Sequence, residues 1–286
     1  MKSYKLEYKG KILDLAQPKI MGILNVTPDS FSDGGKYVTV DAALEHARDM
    51  MLAGAAVIDV GGESTRRESS PVTTQEELDR VVPVVEAIAA SMDIWISVDT
   101  SNPEVMKAAL DAGACMINDV RALRRDGAIE TVAEYGCPVC IQHMIGEDPQ
   151  VMQQNASYSD LIGDISTFLY ERIHICLNAG VRRDNLMIDP GFGFGKNLEQ
   201  NYRLLGQLDR FKSFGLPILV GLSRKSMIGD LLKVNADSRL AGSIAANLFA
   251  VGAGADILRV HDVKEMAEAL KVYMYAMKFS KQKIKK

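Results

Sequence analysis

The chain has 286 residues, 47% of them hydrophobic and 24% charged, with a net charge of −4. That length suits one α/β barrel, which needs roughly 250 residues, or two small domains. The slightly acidic balance excludes the clustered Lys and Arg excess of a nucleic-acid surface, and the composition is that of a globular protein rather than a disordered one.

Met1 to Asp14 is a Lys/Glu-rich alternating segment without the apolar centre of a secretory signal, so the expected compartment is the cytoplasm. Tyr4 to Leu15 reads as a hairpin turning at Lys9-Gly10. From there short apolar runs alternate with helical periods. A strand at Ile20–Asn25 precedes a helix at Ala42–Leu52, a strand at Ala56–Val60 a helix at Gln75–Ala90, and a strand at Ile94–Asp99 a helix at Glu104–Asp111. The strand Cys115–Asn118 leads to a weaker helix at Ile129–Tyr135, and Pro138–His143 leads to Ser159–Asn178. Leu186–Asp189 is followed by Glu199–Phe214, Pro217–Leu222 by Leu240–Val251, and Asp256–His261 by Val263–Met277.

Asp41 and Thr74 read as helix N-caps, and three helices run into Ala-Gly-Ala (53–55, 112–114, 253–255), where glycine suits a left-handed C-cap. Eight β–α units in strict alternation predict a (β/α)₈ barrel, with a doubly wound open sheet as the alternative. No linker divides the chain, so residues 1–286 read as one domain with an N-terminal extension (1–16) and a basic tail (278–286). The least polar stretch, Ala241 to Leu258, is interrupted by Asn247, Asp256 and glycines, which suits helix, loop and strand rather than a membrane span.

The four cysteines do not make a disulfide scaffold at this length. Cys137 and Cys140 form a C-x-x-C, but they enter an apolar strand and no second pair completes a zinc set, so they read as structural thiols.

In a barrel, polar residues at the C-terminal strand ends face the reaction site. Here nearly every strand ends in one: Asn25; Asp59 before Gly61-Gly62-Glu63-Ser64-Thr65-Arg66; Asp99-Thr100; Asn118-Asp119; Gln142-His143; Asp189; Ser223-Arg224-Lys225-Ser226; Arg259 and His261. Asp99, Asn118, Asp189 and Lys225 suit the edge of a flat polar heterocycle. Arg66, Arg259, His261 and Asn25 belong to neighbouring strands, and two converging guanidiniums suit phosphate oxygens. Ser226 should open a helix whose free N–H groups attract an anion. The reading is a ring slot between two anion positions.

Two nucleotide motifs fail. Gly191-Phe192-Gly193-Phe194-Gly195-Lys196 would need glycine at 190 and Ser or Thr at 197 to be a Walker loop, and these are Pro190 and Asn197. A dinucleotide fingerprint would need a strand with a terminal acid about 20 residues on, where this chain has a helical segment. The glycines read as letting backbone and Phe192/Phe194 approach a ligand, with a purely structural turn as the alternative.

Seven separated motifs between Ile20 and Asp262 together resemble the dihydropteroate synthases: MGILNVTPDSFSDGG (21–35), DVGGESTR (59–66), SVDT (97–100), IND (117–119), DPGFGFGK (189–196), GLSRKS (221–226) and RVHD (259–262). The resemblance implies a homodimeric barrel that joins 6-hydroxymethyl-7,8-dihydropterin diphosphate to 4-aminobenzoate with Mg²⁺, giving dihydropteroate and pyrophosphate, and a sulfonamide target. On matching positions it implies that Asp99, Asn118, Asp189, Lys225 and Arg259 bind the pterin. Asn25, Arg66, Arg259 and His261 would then meet the diphosphate, Asn25 with the metal. Thr65, Arg67 and Ser226 would lie on the aminobenzoate side. Asp99 and Lys225, with Phe31 and Asp33 in the first loop, would be catalytic. One place departs from the family: after ESTR the usual Pro-Gly is replaced by Arg67-Glu68, which bears on the second substrate and on sulfonamide response. A pterin-dependent methyltransferase or a non-catalytic pterin-binding protein are the competing readings.

Overall fold

The computed structural model describes residues 4–27, 40–63, 72–146 and 157–280. An antiparallel hairpin comes first, β1 (Lys5–Tyr8) and β2 (Lys11–Asp14), with Lys9 and Gly10 at positive φ in the turn. Leu6, Tyr8, Leu13 and Leu15 are buried beneath it. Lys9 Nζ donates to the Leu110 carbonyl (2.9 Å) and Lys11 Nζ to that of Ile94 (3.1 Å), ahead of β5 (Trp95–Asp99). The hairpin therefore lies at the end of the barrel where strands begin, away from their polar ends.

The remaining strands are β3 (Lys19–Asn25), β4 (Val57–Gly61), β6 (Met116–Asp119), β7 (Val139–Gln142), β8 (Leu186–Asp189), β9 (Leu219–Val220) and β10 (Ile257–Val260). All pairs between them are parallel, in the order β8-β7-β6-β5-β4-β3-β10-β9, and a parallel bridge between Ile188 and Ile218 joins the two ends. That closure makes the sheet a barrel and excludes the open-sheet alternative. The helices are α1 (Val40–Leu52), α2 (Thr74–Ser91), α3 (Pro103–Ala112), α4 (Ala128–Tyr135), α5 (Leu161–Asn178), α6 (Leu198–Gly206), α7 (Ser226–Leu232), α8 (Leu240–Ala253) and α9 (Val263–Ser280).

Register explains why the polar strand ends converge. Side chains alternate along a strand, and residues paired across neighbouring strands share a face. Asn25 pairs with Gly61, Gly61 with Asp99, and Asp99 with Asn118; Ile23 pairs with Asp59, and Gln142 with Asp189. Asp59, Asp99, Asn118 and Arg259 touch one another across β3, so this face is the barrel interior. Its lower part is filled by buried Met21, Val57, Trp95, Met116 and Met187. Each such side chain contributes about 1.5–3 kcal/mol by leaving water. The polar residues form the layers above.

Several local details differ from the sequence reading. Thr73, not Thr74, caps α2: its hydroxyl accepts from Glu76 N and Glu76 reaches back to Thr73 N (2.8 Å), a capping box. Thr74 instead accepts from Asn102 Nδ2 (2.7 Å). Asp41 lies inside the first turn of α1 rather than ahead of it. The helix expected over Glu199–Phe214 stops at Gly206, and a 3₁₀ segment, Leu208–Phe214, follows. Leu208 and Phe211, three residues apart, share one buried 3₁₀ face. Gly54, Gly113 and Gly254 do take the left-handed conformation after their helices, as expected.

Candidate active site

The four thiols can be set aside first. All are free and buried, and burial pushes Cys137 up to about 12, Cys176 to about 11 and Cys140 well above the usual thiol range, so these three stay protonated at neutral pH.

The centre of the polar layer is Arg259, on β10. Its Nε donates to Asp59 Oδ2 (2.6 Å) and an Nη2 hydrogen goes to Asp99 Oδ2 (2.7 Å). Nη1 has no protein partner among the described residues. Two carboxylates in contact raise the guanidinium's already high pKa further, against burial. Burial raises Asp99 above the usual carboxylate range, opposed by Arg259 and reinforced by the neighbouring anions Asp59, Asp119 and Glu63. Asp59 Oδ2 also accepts from Asn118 Nδ2 (3.2 Å). Asp59 Oδ1, Ser97 Oγ, Asn118 Oδ1 and Gln142 Nε2 are buried with no partner among the described residues. Buried polar atoms are nearly always paired, so these four orphans on neighbouring strands of the interior point to a ligand that hydrogen-bonds there.

Asp189, at the end of β8, is buried, with Oδ1 accepting from Gly191 N (2.7 Å). Burial lifts its carboxyl to about 6, against Gly191 and the cations Lys225, Lys196 and Arg259. Lys225 is brought down to about 8 by burial, with Asp189 acting to raise it, and its Nζ stands 4.3 Å from the centroid of the Phe194 ring. Phe194 packs with Val120 and Met144 beside Lys225, whereas Phe192 is packed in the main core.

The loop after β8 is pinned from inside. Lys196 folds back so that its Nζ donates to Gly191 O (2.7 Å) and Phe194 O (3.1 Å) and meets His143 Nδ1 at 3.1 Å. A Cβ on Gly191, whose φ is +76°, would lie 1.9 Å from the His143 carbonyl oxygen, so only glycine fits. Burial takes His143 down to about 2, and it is a neutral acceptor.

His261 N donates to Ser223 Oγ (3.2 Å), and the same hydroxyl lies 3.1 Å from His261 Nδ1. The Ser223 hydroxyl can accept from Nδ1–H or donate to a bare Nδ1, and in the second arrangement Nε2 carries the ring proton as a donor. Burial and then Arg259 hold His261 down to about 4, so in the free protein it offers a neutral N–H rather than a cation. Arg224, at a positive φ of 56°, pairs with Asp262 and fixes the turn before Lys225, and Ser226 is the exposed first residue of α7. Asn25 Oδ1 and Asp99 Cβ flank the space that a Cβ on Gly61 would enter, which sets Asn25 over the same interior.

The structure thus gathers Asn25, Asp99, Asn118, Asp189, Lys225, Arg259 and His261 at one end of the barrel. Phe31, Asp33, Thr65, Arg66 and Arg67 lie outside the described residues. The chain matches the pterin binding enzyme family over residues 21–261. It is 53% identical over 268 residues to the dihydropteroate synthase of Escherichia coli (strain K12), covering 94% of this chain and 95% of that one.

The chain belongs to the pterin binding enzymes, among the dihydropteroate synthases.

Solved dihydropteroate synthases agree with the fold. The Yersinia pestis enzyme in complex with a sulfonamide drug is 51% identical with a TM-score of 0.91, over 96% of this chain and 99% of its own. The Xanthomonas albilineans enzyme with 4-aminobenzoic acid is 46% identical with a TM-score of 0.91 and the same coverage, 96% and 99%. Membership accounts for the failed nucleotide motifs, since a pterin-binding barrel needs neither. It also leaves the methyltransferase and non-catalytic readings without support. The sequence places Asp59 and Ser223 at strand ends without a role for either, and shows Lys196 only within a failed motif. For Asp59 the usable signal was parity: it lies two residues before Gly61, on the strand face that also carries Asn25 and Asp99.

Proposed function

We propose that this dihydropteroate synthase condenses 6-hydroxymethyl-7,8-dihydropterin diphosphate with 4-aminobenzoate, giving 7,8-dihydropteroate and pyrophosphate, through the residues gathered around Arg259. The observation that carries this assignment of roles is the set of buried, unpartnered acceptors and donors beside Asp189 and Arg259. A pterin edge carries N–H donors, and the acceptors Asp189 Oδ2 and Asn118 Oδ1 would receive them, with Asp99, Lys225 and Arg259 completing the slot. Pyrophosphate release that depends strictly on both substrates tests it; release without 4-aminobenzoate would mean simple hydrolysis.

In the reaction the aniline nitrogen forms a bond to the pterin methylene carbon while that carbon's bond to the diphosphate oxygen breaks. The diphosphate leaves with the electron pair, and the nitrogen gives up one proton to solvent or to the leaving group. An aromatic amine is unprotonated at neutral pH, so the main demand is stabilisation of departing charge. Arg259, the His261 ring and Arg66 would meet it. Asp99 would stabilise a cation-like carbon, and loops bearing Phe31 and Asp33 would exclude water.

Among the described residues no cluster of three acidic, His or Cys side chains could cage a metal. Magnesium binds through few protein ligands plus substrate phosphates, so the single amide oxygen of Asn25 fits it. When bound, the ion supplies positive charge against the leaving diphosphate. Thr65, Arg67 and Ser226 would belong to the aminobenzoate side. No helix among the described residues is long and apolar enough to cross a membrane. The cytoplasmic location remains part of the proposal. Exposed Phe249 on α8 with Val272, Tyr275 and Phe279 on α9 offers an apolar face for a homodimer, checked by light scattering against the 31.3 kDa chain mass.

Pterin affinity should follow a bell. Below about 6 Asp189 protonates and loses an acceptor, and above about 8 Lys225 loses its charge. Calorimetry with 6-hydroxymethylpterin across that range checks this; affinity on the flanks as high as at the centre would remove the two groups from the binding step.

Arg67-Glu68 should weaken the second substrate. An arginine backbone is freer than proline, so ordering the loop costs on the order of 0.4–1 kcal/mol more. We expect a raised KM for 4-aminobenzoate and weak sulfonamide inhibition. The double substitution Arg67→Pro, Glu68→Gly should lower both constants about 2–5-fold, following that energy. Unchanged kinetics in the double variant would show the departure to be neutral.

A further inference from the structure

Resting on the pterin reading above, we infer that Asp59 is a specificity-determining positioning residue, which from beneath the ring slot sets Asn118 and Arg259 in the orientations that a donor-bearing ring edge requires. Asp59 is fully buried, and its Oδ2 accepts from both Asn118 Nδ2 (3.2 Å) and Arg259 Nε (2.6 Å). A carboxylate has only acceptors to offer, so the amide of Asn118 must turn its NH₂ inward to Asp59. The carbonyl oxygen is thereby turned away from Asp59, and it is buried with no partner among the described residues. Without that constraint the amide is free to flip and present a donor to the ligand's own donors.

The same oxygen fixes Arg259. With Nε on Asp59 and Nη2 on Asp99, the guanidinium plane is held at two points, on β4 and β5, and Nη1 is left outside both contacts. Holding such a side chain in advance removes ordering cost at the moment of binding. Asp59 therefore acts through its neighbours on both the ring and the diphosphate side. Discrimination follows, because a site whose acceptors are fixed rejects a ring edge that brings acceptors of its own.

The test is a double-mutant cycle on binding of 6-hydroxymethylpterin, read by calorimetry. Asp59→Ala and Asn118→Ala should each weaken binding about 30-fold, and the double variant little more than either alone, because the second change removes what the first had oriented. Steady-state kinetics should show a raised KM for the pterin diphosphate and a lowered kcat, with the KM for 4-aminobenzoate unchanged. If Asp59→Ala does not fold, Asp59→Asn serves. It keeps one acceptor oxygen but loses the charge, and about a 5-fold loss is expected. Affinity within 2-fold of the unaltered enzyme in the folded variants, or losses that multiply fully in the double variant, would overturn the inference while leaving the pterin assignment standing. Failure of the unaltered enzyme to bind the pterin would overturn both.

Discussion

Asp189→Asn is expected to abolish detectable pterin binding while the barrel stays folded. In the native protein Gly191 N–H occupies Oδ1, and on the proposed reading Oδ2 accepts from the ligand. An amide in the same place keeps one acceptor for Gly191 but turns an NH₂ group toward ligand donors. A hydrogen bond to a charged group contributes about 1.5–3 kcal/mol, and a donor set against a donor forfeits it and adds the desolvation of both. The expected loss is therefore at least about 100-fold in affinity, a change of roughly 3 kcal/mol. Folding should suffer little, because burial already raises this carboxyl, so replacing it with a neutral group removes a desolvation cost. Calorimetry beside a thermal melt checks both parts. Near-normal affinity in the folded variant would remove Asp189 from the slot.

Arg259→Ala should have the largest combined effect on folding and catalysis. The arginine pairs with Asp59, which is fully buried, and with Asp99. Removing one member of a buried pair typically costs about 3–5 kcal/mol, because the remaining charge is stranded. The variant is expected to melt earlier and to bind the diphosphate substrate far more weakly than it binds the bare hydroxymethyl-pterin. Arg66→Ala should show the same preference for damage to the diphosphate ligand without the folding penalty, if that side chain meets only phosphate. Equal losses for both ligands in a folded variant would mean that the diphosphate does not lie beside Arg259.

What the sequence made legible was set by periodicity. Short apolar runs that end in a single polar residue, as at Asn25, Asp99 and Asp189, mark the place where a strand leaves the packed core, and the barrel brings those places together. Asn118 and Arg259 were legible for the same reason. Asp59 was seen but not weighed, because it lies inside its strand and acts on side chains rather than at the mouth. Lys196 was hidden by its likeness to a phosphate-loop lysine, which gives no sign that the chain turns the amine inward onto Gly191 and Phe194. The break after Gly206 and the shift of the α2 cap to Thr73 turn on local hydrogen bonds that hydrophobic period does not report. The left-handed Arg224 is likewise a tertiary effect, imposed by Asp262, Ser243 and Arg239 around it.

The central claim is tested most directly by mass spectrometry of the product formed from the pterin diphosphate, 4-aminobenzoate and Mg²⁺, with each component omitted in turn and with Asp189→Asn in parallel. The account predicts 7,8-dihydropteroate and pyrophosphate only when both organic substrates are present, with little product without the metal and none from the variant. Consumption of the pterin diphosphate at the same rate without 4-aminobenzoate, or full dihydropteroate formation by Asp189→Asn, would contradict it.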